Sequence, residues 1–232
     1  MSTINNGGEA TDTFAADSQA DEIGLLLQQN PALARQYLDH PLPQFRAVAA
    51  KYANIFQLPR LLEDVDHTVR WSAAERLPER YLLGLRRDPH PAVRIRVAGR
   101  LRSRDVEPMM EDADPGVRAA VAQRLAPLVL PDMMHDKDPG VRRVVAQRIE
   151  VRFLVHMASD ADAEVRLEVA RRLNPDDLVR LRGDSDWRVR HHVAGRIGLA
   201  ELATMYGDVD PLVQDTVHRR LLAEIMRPGR SV

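Results

Sequence analysis

The chain has 232 residues, and its 33 Lys and Arg against 34 Asp and Glu give a formal net charge of −1. A duplex-binding protein usually has a basic excess, so this balance disfavours nucleic acid as a partner. The absence of cysteine excludes disulfides, thiolate nucleophiles, Cys-ligated zinc and iron–sulfur sites. No signal-peptide pattern opens the sequence, and no apolar run approaches the roughly 18 residues that span a bilayer. We therefore expect a cytoplasmic protein with no membrane partner.

The first forty residues precede any repeated pattern. Residues 1–20 are small, polar and acidic apart from a lone Phe14, which predicts a disordered N-terminal tail. In residues 21–40, apolar side chains recur at helical spacing on both sides of Pro31. This second stretch predicts a helical N-terminal cap for the repeats that follow.

A 24-residue pattern organises the rest of the chain. It is clearest in DADPGVRAAVAQRL at Asp112–Leu125 and in DKDPGVRRVVAQRI at Asp136–Ile149. With a degenerate first copy at His40–Ala53, eight copies cover residues 41–222, and residues 223–232 are left as a C-terminal cap and tail. Self-similarity at a fixed period of this length indicates a solenoid, in which each repeat packs on its neighbours.

Each copy predicts one α-helix followed by a shorter segment. In the fifth copy, the side chain of Asp138 can accept hydrogen bonds from the first turn, and Pro139 suits the first helical position. An apolar stripe then runs through Val141–Ile149. The next residues contain an apolar pair three positions apart, Leu154 and Met157, which favours a 3₁₀ turn over a second α-helix.

The unit VR–x–x–VA–x–RL, followed by L–x–x–L or L–x–x–M, resembles the leucine-rich repeat variant family, first met in nitrogen-fixing bacteria. The resemblance covers residues 41–222 and implies an all-α, right-handed superhelical solenoid of eight 24-residue repeats, each an α-helix plus a short 3₁₀ helix. Members of this family can carry an N-terminal cysteine-rich domain with a four-iron cluster. Residues 1–40 contain no Cys, so the cluster does not carry over and we expect no cofactor.

Three charged columns, meaning the same position in successive repeats, accompany the pattern. The aspartate column is Asp64, Asp88, Asp112, Asp136, Asp160, Asp184 and Asp208. The first arginine column is Arg46, Arg70, Arg94, Arg118, Arg142, Arg166 and Arg190. The second is Arg76, Arg100, Arg124, Arg148, Arg172, Arg196 and Arg220.

The arginine columns have two interpretations. They could form a track that binds phosphates or carboxylates, or they could be internal struts that bond the Asp side chains and helix-end carbonyls of a neighbouring repeat. The first column falls inside the apolar arc of its helix, which favours struts. The second lies at the edge of that arc, so both interpretations stay open and its members are candidate interaction residues: Arg76, Arg100, Arg124, Arg148, Arg172 and Arg196.

Residues that depart from the pattern are the other candidates for binding, because the columns themselves serve stacking. Trp187 replaces the usual Pro at the start of its helix, and Tyr206 follows in the next segment. Exposed aromatic side chains are enriched at interface centres, so the two predict an interaction patch in the last two copies. Alternatively, each ring covers a gap between repeats.

The sequence contains no recognisable metal-binding or catalytic motif. The eight histidines include no pair four apart on one helix, so we expect no metal site. Neither a Gly-rich phosphate loop nor a Ser nucleophile elbow occurs, so we expect no catalytic residues and no enzyme activity.

The sequence therefore predicts a non-catalytic scaffold for protein–protein interaction, with an unidentified protein partner and a monomer as the default state. The alternative is a nucleic-acid-binding helical-repeat protein similar to a DNA glycosylase, which would need one basic face and an acidic residue facing it. A lyase-type repeat protein that acts on a bound chromophore ranks last.

Overall fold

The computed structural model describes the backbone of residues 8–226 and the side chains from residue 18 onward. Within that range the regular elements are all α-helices and 3₁₀ helices, without a strand. The chain divides into two compact units, Met1–Arg124 and Leu125–Val232. This all-helical repeat architecture confirms the predicted fold class.

Eight α-helices begin at intervals of 24 residues, and we number the repeats 1 to 8 after them. The first unit contains Pro43–Tyr52, His67–Arg76, Pro91–Arg100 and Pro115–Arg124. The second unit contains Pro139–Arg148, Ala163–Arg172, Trp187–Arg196 and Pro211–Ile225. Their constant spacing confirms the eight copies that the sequence pattern predicts.

The helix starts follow from local side-chain chemistry. Asp138 Oδ1 accepts hydrogen bonds from the amides of Gly140 and Val141, at 2.8 and 3.2 Å, while Pro139 fills the first helical position. In repeat 3, His90 stands in the place of the capping Asp, and its Nδ1 accepts from the amide of Ala92. These caps satisfy amides that have no partner inside the helix.

Short segments connect the repeat helices. In the first unit they are the 3₁₀ helices Ile55–Gln57, Pro59–Glu63, Glu79–Tyr81, Leu83–Arg87 and Glu107–Met109, with the α-turn Ser103–Val106. In the second unit they are the 3₁₀ helices Leu130–Met133, Val155–Met157 and Asp177–Leu181, with the α-turns Val151–Leu154 and Leu199–Ala203.

The predicted 3₁₀ geometry holds in six of these seven connections, and the connection between repeats 7 and 8 is an α-turn instead. There the amide of Leu202 donates to the carbonyl of Gly198, four residues back, at 2.8 Å. In a segment this short, a shift of one residue in the acceptor is enough to change a 3₁₀ turn into an α-turn.

The core is formed by the valine and alanine positions of the repeat helices together with the apolar pairs of the short segments. Val69 and Val93 in the first unit and Val141 and Val145 in the second are fully buried. Every apolar pair is buried except for Leu85. Each repeat therefore contributes two layers of apolar side chains, one from its helix and one from its short segment.

The N-terminal region differs from the prediction. A helix spans Gly8–Gln29 and so includes residues 8–20 of the predicted N-terminal tail, while residues 1–7 lie outside the described range. Ala, Glu and Gln favour helix and no Pro interrupts the segment, so it can extend upstream from its buried Ala20 and Leu27. The 3₁₀ helix Pro31–Tyr37 follows, and both elements contact the helix of repeat 1.

At the C-terminal end, the helix of the last repeat extends into the region predicted as a cap and tail. Repeat 8 has a helix of 15 residues, Pro211–Ile225, where the other repeat helices have 10. The remainder of the predicted C-terminal tail, residues 227–232, lies outside the described range. Between residues 8 and 226, no helix combines the length and the apolar character needed to cross a membrane.

Candidate functional site

Within each of the two units, arginines of the first column form bidentate ion pairs with aspartates of the aspartate column. Arg70 Nε and Nη2 donate to the two carboxylate oxygens of Asp88 at 2.7 and 2.8 Å, and the two side chains are only 10% and 2% exposed. The same geometry joins Arg46–Asp64, Arg94–Asp112, Arg142–Asp160, Arg166–Asp184 and Arg190–Asp208. Each pair connects the helix of one repeat to the loop that precedes the next helix, which is the internal role that the apolar arc predicts.

The same side chains also close the loops between repeats. Arg166 Nη1 donates to the backbone carbonyls of Asp160 and Ala161, at 2.8 and 3.2 Å. Asp184 Oδ1, besides accepting from Arg166, accepts from the amide of Asp186 at 2.8 Å. Each ion pair therefore satisfies polar backbone groups that would otherwise lack partners in the loop.

The pKa is lowered in several aspartates of these ion pairs. The hydrogen bond from Arg190 is the main cause that lowers the pKa of Asp208, against the opposing effect of burial. Burial works to raise the pKa of Asp88, but the hydrogen bonds from Arg70 and from the amide of His90 outweigh it, and the pKa lies below its usual value. A carboxylate held in this way does not carry a proton at neutral pH, which removes it as a general acid.

The second arginine column caps helix ends. Arg172 Nη1 and Nη2 donate to the carbonyls of Ala146, in the last turn of the preceding repeat helix, and of Ile149, the residue after that helix, at 2.6 and 2.7 Å. Comparable bonds to carbonyls of the preceding repeat are made by Arg76, Arg100, Arg124, Arg148, Arg196 and Arg220. The last carbonyls of an α-helix have no partner within the helix, so these bonds are of the kind that the strut interpretation describes.

Trp187 and Tyr206, the two aromatic candidates, are both exposed, by 40% and 68%. Trp187 lies at the start of the repeat 7 helix, and its ring meets that of His191 edge-on, with the centroids 6.3 Å apart. The Tyr206 ring lies 4.8 Å from that of His218 in repeat 8. Within the described residues, neither contact joins Trp187 to Tyr206, so the structure gives two exposed rings with separate neighbours.

A cleft over the helices of repeats 2, 3 and 4 is a feature that the sequence patterns do not reveal. It has a volume of about 450 Å³. We call it the helix cleft, and its lining residues are Trp71, Ile95, Arg96, Gly99, Arg100, Ala120, Gln123 and Arg124. The one signal in the sequence is Gly99, which stands where repeats 2 and 4 carry the long side chains of Glu75 and Gln123.

Other grooves recur beside the short segments and belong to the repeat architecture. One of them, of about 920 Å³, lies between repeats 2 and 3 and is lined in part by the pair Arg94 and Asp112. Similar grooves contain the pair Arg46 and Asp64 or the pair Arg142 and Asp160. Because each of them is built around an ion pair that is already satisfied, these grooves offer no free charged group from the columns.

Titratable groups do not assemble into a recognisable centre in the part of the chain that the structure describes. No group of three His, Asp or Glu side chains there could hold a metal ion. His192 has a pKa lowered by burial and by the nearby charges of Arg196 and Arg171. Its Nε2 is buried and has no hydrogen-bond partner.

Comparison with known proteins identifies the repeat. No family model matches the chain. A solved structure described as a leucine-rich repeat variant with a novel repetitive protein structural motif is similar with a TM-score of 0.81 and 39% identity, over 87% of this chain and 86% of that one. An uncharacterized 27.7 kDa protein in the nifB 3′ region of Rhodobacter capsulatus is 45% identical over 62 residues.

That second match covers 27% of this chain, and the chain spans about a quarter (25%) of the relative's length. The first match extends over most of both chains at 39% identity. Together with the 24-residue spacing of the helices, it shows that the chain belongs to the leucine-rich repeat variant family.

Proposed function

We propose that the protein is a non-catalytic scaffold that binds a protein partner through exposed side chains that depart from the repeat pattern, chiefly Trp187 and Tyr206. The observation that carries this proposal is the contrast between the recurring and the non-recurring residues. The arginine columns are engaged in bonds within the protein, whereas the two aromatic rings are exposed. Large exposed aromatic side chains are the residues that most often anchor a protein interface.

The same contrast favours a protein partner over nucleic acid. A phosphate track would need guanidinium groups free to face the backbone of the nucleic acid. Arg172 and the rest of the second column instead donate to helix-end carbonyls, and the first column is paired with carboxylates. The net charge of −1 adds no long-range attraction for a polyanion.

The short match to a protein from a nif region supports an association with nitrogen fixation. We propose this only as the setting in which a partner is best sought. A nitrogen-fixing culture is accordingly the source of extract for the experiment that follows.

The test is affinity capture from a native extract, with and without nuclease, followed by measurement of the dissociation constant with the purified partner. We expect a discrete protein that is retained after nuclease treatment. The double variant Trp187→Ala/Tyr206→Ala should weaken its binding by about tenfold or more, as the loss of interface anchors does. The matched control is Phe56→Ala, because Phe56 is also a highly exposed ring but lies in the first unit.

Two results would contradict the proposal. If the captured material disappears after nuclease treatment, the partner is a nucleic acid. If the double variant binds the purified partner as tightly as the wild type does, Trp187 and Tyr206 are not the anchors.

A further inference from the structure

The helix cleft exists because one repeat lacks a side chain that its neighbours have. Gly99 of repeat 3 occupies the position of Glu75 in repeat 2 and Gln123 in repeat 4. A Cβ placed on Gly99 would meet no atom within 4 Å, so the space above its backbone is open. The resulting volume of about 450 Å³ lies within the range of roughly 300–1,000 Å³ that is typical of ligand pockets.

The cleft combines an apolar surface with positive charge. Trp71, Ile95 and Ala120 supply apolar area, and Ile95 counts among the exposed large hydrophobic residues. Isolated apolar side chains on a surface need no explanation, but an apolar depression that is rimmed by charged groups indicates binding.

The charged rim consists of Arg96, Arg100 and Arg124, and none of the eight lining residues is acidic. Arg100 and Arg124 donate to backbone carbonyls, which are neutral, so these bonds leave the net charge of both guanidinium groups in place. The nearby Glu75 compensates one of the three charges, since its Oε2 lies 2.6 Å from Arg96 Nη1.

Arg96 is the residue best placed to respond to a ligand. Its guanidinium carbon lies 4.3 Å from the centroid of the Trp71 ring, in a cation–π contact. Its Nε is buried and has no hydrogen-bond partner in the described chain. A buried donor without an acceptor is uncommon in a folded protein, and an incoming carboxylate could satisfy it after a small movement of the side chain.

We propose that the helix cleft binds an acidic peptide segment of a partner protein, with an apolar side chain of the peptide seated over Gly99 and a flanking carboxylate paired with Arg96. Arg100 and Arg124 keep their bonds to backbone carbonyls and contribute only the positive charge of the rim. The charge of the rim selects the acidic segment, and the apolar surface selects the side chain between the acids. This surface lies in the first unit, and the inference does not depend on Trp187 and Tyr206 being a partner site.

The experiment uses Trp71 as its reporter. The chain has two tryptophans, so the full-length variant Trp187→Phe leaves Trp71 as the only one. The probe is the blocked peptide Asp-Glu-Leu-Leu-Asp-Glu, titrated at low salt while the Trp71 emission is recorded. We expect a saturable change in that emission, and no saturable change with a peptide in which Lys replaces the acids or one in which Ser replaces both leucines.

A variant that fills the helix cleft gives the decisive test of peptide binding. Gly99→Gln introduces the residue found at the same position in repeat 4, and it should weaken binding of the probe by about tenfold or more, because the space over the backbone is lost. Gly195→Gln is the matched control, since Gly195 occupies the same position in repeat 7 and its Cβ would also meet no atom within 4 Å. Both variants should stay folded, as judged by circular dichroism.

The proposal is overturned if the acidic peptide gives no saturable change in Trp71 emission, or if the Lys peptide binds as tightly as the acidic peptide. It is also overturned if Gly99→Gln binds the probe like the parent protein, or if Gly195→Gln weakens binding to the same extent. Weaker binding in Gly99→Gln alone, together with selectivity for the acidic peptide, supports it.

Discussion

Arg166 Nε and Nη2 donate to both carboxylate oxygens of Asp184, at 2.7 and 2.8 Å, and so join the helix of repeat 6 to the loop before the helix of repeat 7. Nη1 of the same arginine donates to the carbonyls of Asp160 and Ala161, in the loop before its own helix. One side chain therefore orders two successive loops. The repetition of this arrangement explains why the first arginine column lies within the apolar stripe of its helix without an unpaired charge.

Replacing this arginine should destabilise the protein strongly. Arg166→Met leaves the carboxylate of Asp184 without its counterion, although only 3% of that side chain is exposed. We expect the free energy of unfolding to fall by about 3 kcal/mol, as when one partner of a buried pair is removed. Urea unfolding, followed by circular dichroism, measures this change.

Arg182 provides the control for that prediction, because it pairs with Glu201 and both side chains are 47% exposed. Arg182→Gln should cost less than about 1 kcal/mol, as exposed pairs do. Equal effects of the two substitutions would show that burial does not set the strength of these ion pairs.

The aspartate column should make stability depend on pH in the acid range. The pKa of Asp208 is lowered in the folded state, chiefly by the hydrogen bond from Arg190. A carboxyl with a lowered folded pKa stabilises the protein fully above its unfolded pKa of about 3.9, and this stabilisation is lost as the pH falls through the folded pKa. The stability difference between the wild type and Asp208→Asn should therefore be largest at neutral pH.

Urea unfolding of both proteins at a series of pH values from 7 down to 2.5 measures this dependence. The difference should stay constant down to about pH 5 and then shrink. A difference that grew toward low pH would mean that the folded state raises the pKa of Asp208.

The helix cap at Asp138 should contribute a smaller amount. Asp138→Ala removes the acceptor for the amides of Gly140 and Val141, and we expect a loss of about 1 kcal/mol in the free energy of unfolding. Asp138→Asn keeps an acceptor oxygen and should lose only a small part of this. Thermal unfolding distinguishes the two, and equal losses would show that the charge of Asp138, not its hydrogen bonds, is what stabilises the helix start.

Val145 tests the core of the repeat. Its side chain is fully buried, so Val145→Asp places an uncompensated charge in the apolar layer and should cost several kcal/mol, at the upper end of what single substitutions do. Because each repeat contacts mainly its neighbours, hydrogen exchange should increase first in the helix Pro139–Arg148 and the adjacent repeat of the second unit. An unchanged unfolding midpoint would show that the valine position is not part of the core.

Much of this fold can be predicted from the period alone. The spacing of 24 residues gives the number of repeats, and the Asp-Pro pair gives a helix start that the structure reproduces at Asp138 and Pro139. The N-terminal helix cannot be predicted in this way, because residues 8–20 lack the apolar periodicity on which the reasoning depends. Its extension rests on helix propensity and on burial farther along the same helix, at Ala20 and Leu27.

The candidate sites are less predictable than the fold. The sequence favours internal partners for the first arginine column and leaves the second open, and it does not tell which column pairs with carboxylates and which with carbonyls. Which of these groups each column reaches depends on how far one repeat is displaced from the next. The helix cleft depends on the same displacement, since Trp71, Gly99 and Arg124 become neighbours only after three helices have stacked.

The central claim is that the recurring arginines hold the repeats together and that binding is left to other residues. Urea unfolding of Arg172→Gln beside Arg171→Gln tests it most directly, because the two arginines are adjacent on one helix. Arg172 bonds the carbonyls of Ala146 and Ile149, whereas the side chain of Arg171 is more than half exposed and pairs with Glu168. We predict that Arg172→Gln lowers the free energy of unfolding by about 1–3 kcal/mol, as unsatisfied carbonyls do, while Arg171→Gln changes it by less than about 0.5 kcal/mol. If both variants were as stable as the wild type, the second column would be free to bind a ligand and the claim would be wrong.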